Sequence, residues 1–526
     1  MRRFDVPGRS PVFAPNAAAT TSHPLATATA LKILHDGGNA VDAAIAASAT
    51  LCVVEPHSTG IGGDCFAIVA EPDGKLHGLN GSGRSPAGLK AEWLIEHGFS
   101  AIPEYSVHSV TAPGAVRAWE TLHRRFGRID FARLFADAVT YARDGYPVAP
   151  RIAHDWARYR DRLAADPGAK LHCLKDGRTP VAGETMRAPA LGGVLARIAR
   201  EGASAFYEGE VAADIAAAVA AKGGFLTEAD LAVVDSSWID PIRTDYRGYE
   251  ICELPPNGQG LTALVLFNLL RLVDPPPGHD SAQRLHQLLE LGRNAYAVRD
   301  AEIADPVTMH TATQRLLSDE YARQLLANYR PDRRDPEITL PKLPNADTVY
   351  LAVVDRDRLA VSFINSLYHG FGSGIVGENT GIALQNRGAC FVVEPGHPNC
   401  IAPSKRPMHT IIPGMVLNGG RASYVLGVMG SAYQPMGHAH VLSNLLDYGM
   451  DVQEAIDSAR IFWADDGALE AESGVPDDTL EGLRQRGWQV RRGGLWGGGQ
   501  MIAIDWETGT LCAGSDPRKD GHAAGY

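Results

Sequence analysis

Residues 340–347, Leu-Pro-Lys-Leu-Pro-Asn-Ala-Asp, interrupt any regular element, because two prolines within eight residues break both the helix and the strand ladder. The next seven, Thr348-Val-Tyr-Leu-Ala-Val-Val354, are β-branched, aromatic and apolar and read as a strand. A hydroxyl residue therefore opens a strand directly after a stretch that looks scissile. If the bond between Asp347 and Thr348 is cut, the freed α-amine lies on the same residue as the hydroxyl it can deprotonate. A threonine hydroxyl alone is a poor nucleophile near neutrality, whereas an α-amine with a pKa of about 7.7–8 accepts a proton there. Supplying both from one residue guarantees their proximity, and the β-methyl restricts χ1 and so the aim of the hydroxyl.

Composition narrows the setting. With 526 residues, 45% hydrophobic and 21% charged, the chain has ample core for two or three domains or one large layered unit. A net charge of −12 without a Lys/Arg cluster argues against a nucleic-acid surface. The seven cysteines are scattered, odd in number and form no CxxC pair, which indicates neither a disulfide framework nor a zinc ribbon. No window approaches the roughly 18 apolar residues of a membrane span, and no signal-peptide core follows the first residues, so the expected compartment is the cytoplasm.

Residues 24–36 and 41–54 read as two helices split by Gly37-Gly38-Asn39, the second small and apolar enough for close packing. Phe66–Ala70 and Lys75–Leu79 flank an Asp73-Gly74 turn as a hairpin. Amphipathic helices are expected near 114–126, 131–143, 190–201, 210–221 and 281–299, and strands near 239–253. Beyond Thr348, strands are expected at 348–354, 359–365, 409–417, 422–428, 487–491, 500–505 and 510–513, with helices at 436–448 and 452–460. Apolar strands between small-residue helices predict an α+β fold, a four-layer αββα sandwich. Residues 1–347 and 348–526 each look incomplete alone, so together they form one unit.

Several blocks then occur in a telling order: Lys32-Ile-Leu-His-Asp-Gly-Gly-Asn-Ala-Val-Asp-Ala-Ala44, Gly60-Ile-Gly-Gly-Asp64, Pro113-Gly-Ala-Val116, Phe371-Gly-Ser-Gly-Ile375, Lys405-Arg-Pro407 and Gly514 to Tyr526. In these the chain resembles the γ-glutamyltranspeptidase family of N-terminal nucleophile hydrolases. The resemblance implies a precursor cut before Thr348 into a large subunit, 1–347, and a small one, 348–526, that stay associated; a dimer of such heterodimers is left open. It also implies that Gly430 and Ser431 donate backbone amides to a developing oxyanion and that Ser366 hydrogen-bonds the nucleophile. No metal or organic cofactor is required.

The departures from the family pattern bear on substrate. The arginine that clamps a glutamyl α-carboxylate is replaced by Ser82, with Arg84 two residues later; the serine pair becomes His409-Thr410. The amine-binding positions hold Tyr368, Arg387 and Cys390. An acid is lost where an ammonium would pair, and a planar cation is gained that suits a carboxylate. Residues 395–407 are shorter than in relatives with a lid loop, which favours hydrolysis over transfer. The pattern resembles the branch that includes oxamate amidohydrolase, so the expected substrate is a small carboxylate-bearing amide such as oxamate. The alternatives are a γ-glutamyl hydrolase or transferase acting on glutathione, and an uncleaved binding protein.

Three other features carry less. His438 and His440 at i,i+2 on a helix point about 200° apart and cannot share a metal. Gly60 to Cys65 lacks the lysine and context of a phosphate loop and reads as a tight turn. Gly493 to Gln500 is a candidate loop near the pocket. The cut itself is testable on a denaturing gel: the purified protein should run as fragments 1–347 and 348–526, and Thr348→Ala as one intact chain. A Thr348→Ala chain that still splits at this bond would remove the threonine from the argument.

Overall fold

The computed structural model describes residues 8–327, 329–338, 348–494 and 496–526. Two seven-stranded sheets, each antiparallel throughout, form its centre. Sheet I runs His522–Gly525, Ala18–Thr21, Val349–Val354, Ala360–Ser366, Asp64–Ala70, Leu76–Gly81, Ser237–Ile239. Sheet II runs Val12–Ala14, Leu511–Ser515, Gly498–Ile504, Arg421–Met429, Gly414–Asn418, Tyr249–Glu253, Ile242–Tyr246. Both sheets mix strands from either side of residue 348.

The period of two along each strand separates three apolar layers. Tyr350, Ala352 and Val354 meet Met415, Val425 and Ile502 between the sheets. Val349, Leu351 and Val353 turn the other way, onto helices Pro24–His35 and Ala40–Val54. On the far side, Val416, Leu426 and Val428 pack under Gly260–Arg271, Ala282–Glu302 and Gln434–Leu446. This is the four-layer αββα sandwich expected from the sequence. Because both faces of each sheet are covered, the central strands are apolar on both sides and show little alternation.

Helix Ala40–Val54 is buried along its whole length, which its alanines permit. Its start is closed by a reciprocal cap: Asn39 Oδ1 accepts from the Val41 and Asp42 amides, both at 3.0 Å, and Asp42 Oδ2 accepts from the Asn39 amide at 3.0 Å.

Some elements differ from expectation. The strand expected over 409–417 begins only at Gly414; the apolar run His-Thr-Ile-Ile-Pro before it is a buried loop. Val490–Arg492 joins a small three-stranded sheet with Ile461–Trp463 and Leu469–Ala471, apart from the two main sheets. The short strands Val12–Ala14, Ala18–Thr21 and His522–Gly525 were not read from the sequence.

The sheets approach closely at Gly427, where a Cβ would lie 2.3 Å from ring carbons of Tyr350. Gly427→Ala should cost about 1–3 kcal/mol, since neither strand can retreat. Gly193, exposed on helix Pro189–Glu201 with nothing within 4 Å of a Cβ, gives the opposite sign. Gly193→Ala should stabilise by about 0.5–1 kcal/mol. Denaturant midpoints of the two variants check both; equal shifts would refute the packing argument.

Candidate active site

Thr348 lies at the mouth of strand Val349–Val354 and is buried. It stands one step beyond the Val349–Asn365 pair, which brings its Oγ1 to 3.1 Å from Ser366 Oγ on the neighbouring strand. Two donors converge on Ser366 Oγ: the Tyr368 amide at 2.8 Å and Arg387 Nη2 at 3.3 Å. Tyr368 holds a left-handed φ of +81°, a costly conformation for a non-glycine residue. That turn delivers its amide to Ser366 and its ring to Arg387, whose guanidinium carbon lies 4.2 Å from the ring centroid. Burial and the neighbouring Cys390 push the Tyr368 phenol well up, so it is neutral.

Arg387 is completely buried. Its Nη1 donates to Thr410 Oγ1 at 2.6 Å, and no described residue accepts from its Nε. Among the described residues it has no carboxylate partner; its neighbours are two hydroxyls and an aromatic face. A buried guanidinium held only by neutral groups is an expensive arrangement that an incoming anion would relieve.

His409 is turned away from this chemistry. Its Nε2 hydrogen-bonds Asp64 Oδ2 at 3.0 Å, and its Nδ1 accepts from the Ile411 amide at 3.3 Å. Burial, then repulsion from Arg387, lowers its pKa to about 4, against the attraction of Asp64. It is therefore a neutral imidazole with its one N–H given to Asp64, and it has no donor to offer a ligand, contrary to its expected binding role. Asp64, read from sequence as part of a tight turn, also accepts on Oδ1 from the amides of Gly83 and Gly114 and from Gln385 Nε2, at 2.9, 3.0 and 2.9 Å.

Arg84 is not brought to the cluster. It is partly exposed, donates to Ser404 O at 3.2 Å and lies 3.7 and 3.9 Å from Asp235 and Asp305. Ser82 is engaged structurally: its Oγ accepts from Asn257 Nδ2 at 3.0 Å, and its amide donates to Asn80 Oδ1 at 2.9 Å. Asp347 lies outside the described residues.

Strand Arg421–Met429 ends in a turn where Gly430 has φ +118° and Ser431 φ +50°. The Tyr433 amide donates to Gly430 O at 2.9 Å. Only glycine fits at 430, because a Cβ there would sit 2.9 Å from Gly497 Cα. Gly497, from the glycine-rich run, is thus packed directly on this turn. Beside Tyr368 and Thr410 opens a cleft of about 730 Å³, with Ile102, Glu104, Arg299 and Phe391 among its walls.

His438 and His440 have separate partners. His438 lies 2.6 Å from Glu253 Oε1, whereas His440 Nδ1 accepts from Arg284 Nη1 at 3.3 Å. Among the described residues no group of three or more His, Cys, Asp or Glu side chains is placed to hold a metal, and no helix is long and apolar enough to cross a membrane.

An αββα sandwich whose sheet I carries a buried threonine at the head of a central strand is the frame of an N-terminal nucleophile hydrolase. The chain belongs to the γ-glutamyltranspeptidase family, whose sequence pattern (Gamma-glutamyltranspeptidase) matches residues 26–526. It is 36% identical to a glutathione hydrolase-like YwrD proenzyme of Bacillus subtilis, covering 96% of this chain and 97% of that one. It is equally 36% identical to an oxamate amidohydrolase proenzyme of Klebsiella pneumoniae, covering 97% and 98%. Among solved structures, a cephalosporin acylase from Bacillus halodurans superposes with a TM-score of 0.93 at 39% identity, over 100% of this chain and 99% of that one. The chain is accordingly an amide-bond hydrolase made as a single self-processing precursor, as its relatives are.

The neutral state of His409 has a consequence for stability. Folded, it takes a proton only near pH 4, whereas an unfolded histidine does so near 6.5. Between those values the unfolded chain binds more protons, so stability falls as pH drops from 6.5 to 4, by up to about 1.4 kcal/mol per pH unit. His23, lowered by burial to about 4, acts in the same direction. His409→Gln, which keeps an N–H for Asp64, should flatten this slope in denaturant unfolding at several pH values. An unchanged slope would show that His409 is not the titrating group.

Proposed function

We propose that this enzyme hydrolyses a small amide whose carboxylate lies beside the scissile carbonyl, with oxamate, giving oxalate and ammonia, as the best fit. The observation that carries this reading is Arg387, a buried cation without a carboxylate partner among the described residues, two hydrogen bonds from the nucleophile through Ser366. In oxamate the carboxylate carbon is one bond, about 1.5 Å, from the carbon under attack; in a γ-glutamyl donor it lies about 5 Å away. A cation so near Thr348 suits the shorter acyl group. Cys390, where an acid would pair with a glutamyl ammonium, points the same way.

The chain is cut between Asp347 and Thr348, and the new α-amine takes the proton of Thr348 Oγ1 as that oxygen attacks the amide carbon. Ser366, whose oxygen accepts from the Tyr368 amide and Arg387, lies 3.1 Å from Thr348 Oγ1 and orients it. Negative charge developing on the carbonyl oxygen is met by the amides of Gly430 and Ser431. The C–N bond breaks, ammonia leaves with the proton from the amine, and water attacks the ester by the same route to release oxalate. The short 395–407 stretch leaves the acyl group open to water, which favours hydrolysis over transfer.

The cleft of about 730 Å³ favours a second reading. It exceeds what oxamate fills and would accept a longer acyl chain, in keeping with the acylase likeness. Ammonia release from oxamate, run beside glutamine and with Thr348→Ala as control, separates the two. Arg387→Met should raise the KM for oxamate about 10–100-fold, the loss of a charge-assisted pair. Turnover of γ-glutamyl or longer acyl amides with none of oxamate would sink the leading reading.

A further inference from the structure

Gln259 precedes helix Gly260–Arg271, is wholly buried, and belongs to none of the motifs above. Its side-chain nitrogen carries two protons and both are engaged, on Thr410 O at 2.7 Å and on Ser431 O at 2.8 Å. Its Oε1 accepts from Arg299 Nη1 at 3.3 Å, and its own amide donates to His409 O at 2.8 Å. Arg299 is fixed in turn by Asp300, 2.7 Å away, and forms part of the cleft wall. One amide therefore joins the 409–410 loop, the 430–431 turn and the side of the cleft.

The turn is the part that needs holding. Ser431 sits at φ +50°, a region costly for a residue with a Cβ. In a trans peptide the C=O and the N–H point opposite ways. Fixing Gly430 O on the Tyr433 amide therefore aims the Ser431 N–H to the other side, and fixing Ser431 O on Gln259 prevents the next peptide from rotating back. Tyr296 Oη, donating to Ala432 O, pins the peptide after that. Both anchors come from the segment before residue 348, whereas the turn lies after it.

We propose that Gln259 is a positioning residue: it locks the Ser431 turn with its amide facing the nucleophile and ties that turn to the Thr410–Arg387 end of the site. This rests on the reading of Gly430 and Ser431 as oxyanion donors. A residue that only filled space would be replaced by methionine with little effect on turnover. Instead, Gln259→Met should lower kcat about 10–100-fold with KM changed less than about threefold, and should leave uncut precursor on a denaturing gel. Gln259→Glu keeps the shape but donates to a carbonyl only when protonated. The variant keeps the same amine base, so it is the ratio of its kcat to that of the wild type that should rise as pH falls from about 8 to about 5.5.

A Gln259→Met enzyme within about twofold of wild-type kcat, or a Gln259→Glu profile parallel to wild type, would overturn the proposal. If the methionine variant does not fold, the glutamate profile decides alone. Wild-type protein inert toward oxamate would overturn the substrate reading only; the extent of self-cleavage in the two variants then carries the test, and cleavage as complete as in wild type would count against Gln259.

Discussion

The carboxylate of Asp64 gathers the site. It is fully buried and accepts from two backbone amides, a glutamine and a histidine that come from segments 19, 50, 321 and 345 residues away. A buried carboxylate without such donors would leave its oxygens unpaired in this core, at a large cost. The approach depends on glycine: a Cβ at Gly83 would lie 1.5 Å from Ala112 O, and one at Gly114 would lie 2.0 Å from Gly81 O. Asp64 holds His409, the next residue Thr410 takes Arg387, and Arg387 reaches Ser366, which touches Thr348. Loss of the first link would loosen every later one.

The electrostatic result is a site in which Arg387 has no carboxylate partner among the described residues. His409 and Tyr368 are neutral there because burial disfavours their ionised forms. Hydroxyls and an aromatic face solvate Arg387 in part, without cancelling it. A pocket of this kind discriminates by sign before it discriminates by shape: an ammonium beside Arg387 would meet repulsion with no acid at Cys390 to offset it.

Much of the architecture was legible because long apolar runs and their breakers are local signals. The strand after Thr348, the hairpin around Asp73-Gly74 and the helices split by Gly37-Gly38-Asn39 all fall close to where hydrophobic pattern and turn residues put them. The strands at Val12–Ala14, Ala18–Thr21 and His522–Gly525 were not, since segments of three or four residues are too short to show a pattern of their own. They are strands because a neighbour offers a ladder. In the site, family motifs pointed to Thr348, Ser366, Arg387 and the 430–431 turn, but not to which groups bind one another. His409 looked like a ligand donor because its partner, Asp64, lies 345 residues earlier in the chain. Gln259 gave no sign at all, because a glutamine between a Gly and a helix is unremarkable until both of its protons find carbonyls in distant loops.

Strand Val349–Val354 lies in the interior of sheet I, between Ala18–Thr21 on one side and Ala360–Ser366 on the other. A chain cut just before it carries its new end in the middle of a finished sheet, so folding has to precede cutting. The precursor closes these contacts within one molecule, where loop closure grows only slowly more costly with length. Once cut, the same contacts must form between two molecules, and refolding becomes dependent on concentration. The mature enzyme is thus held less by the equilibrium that built it than by the barrier to opening its sheet, and its endurance is a matter of unfolding rate.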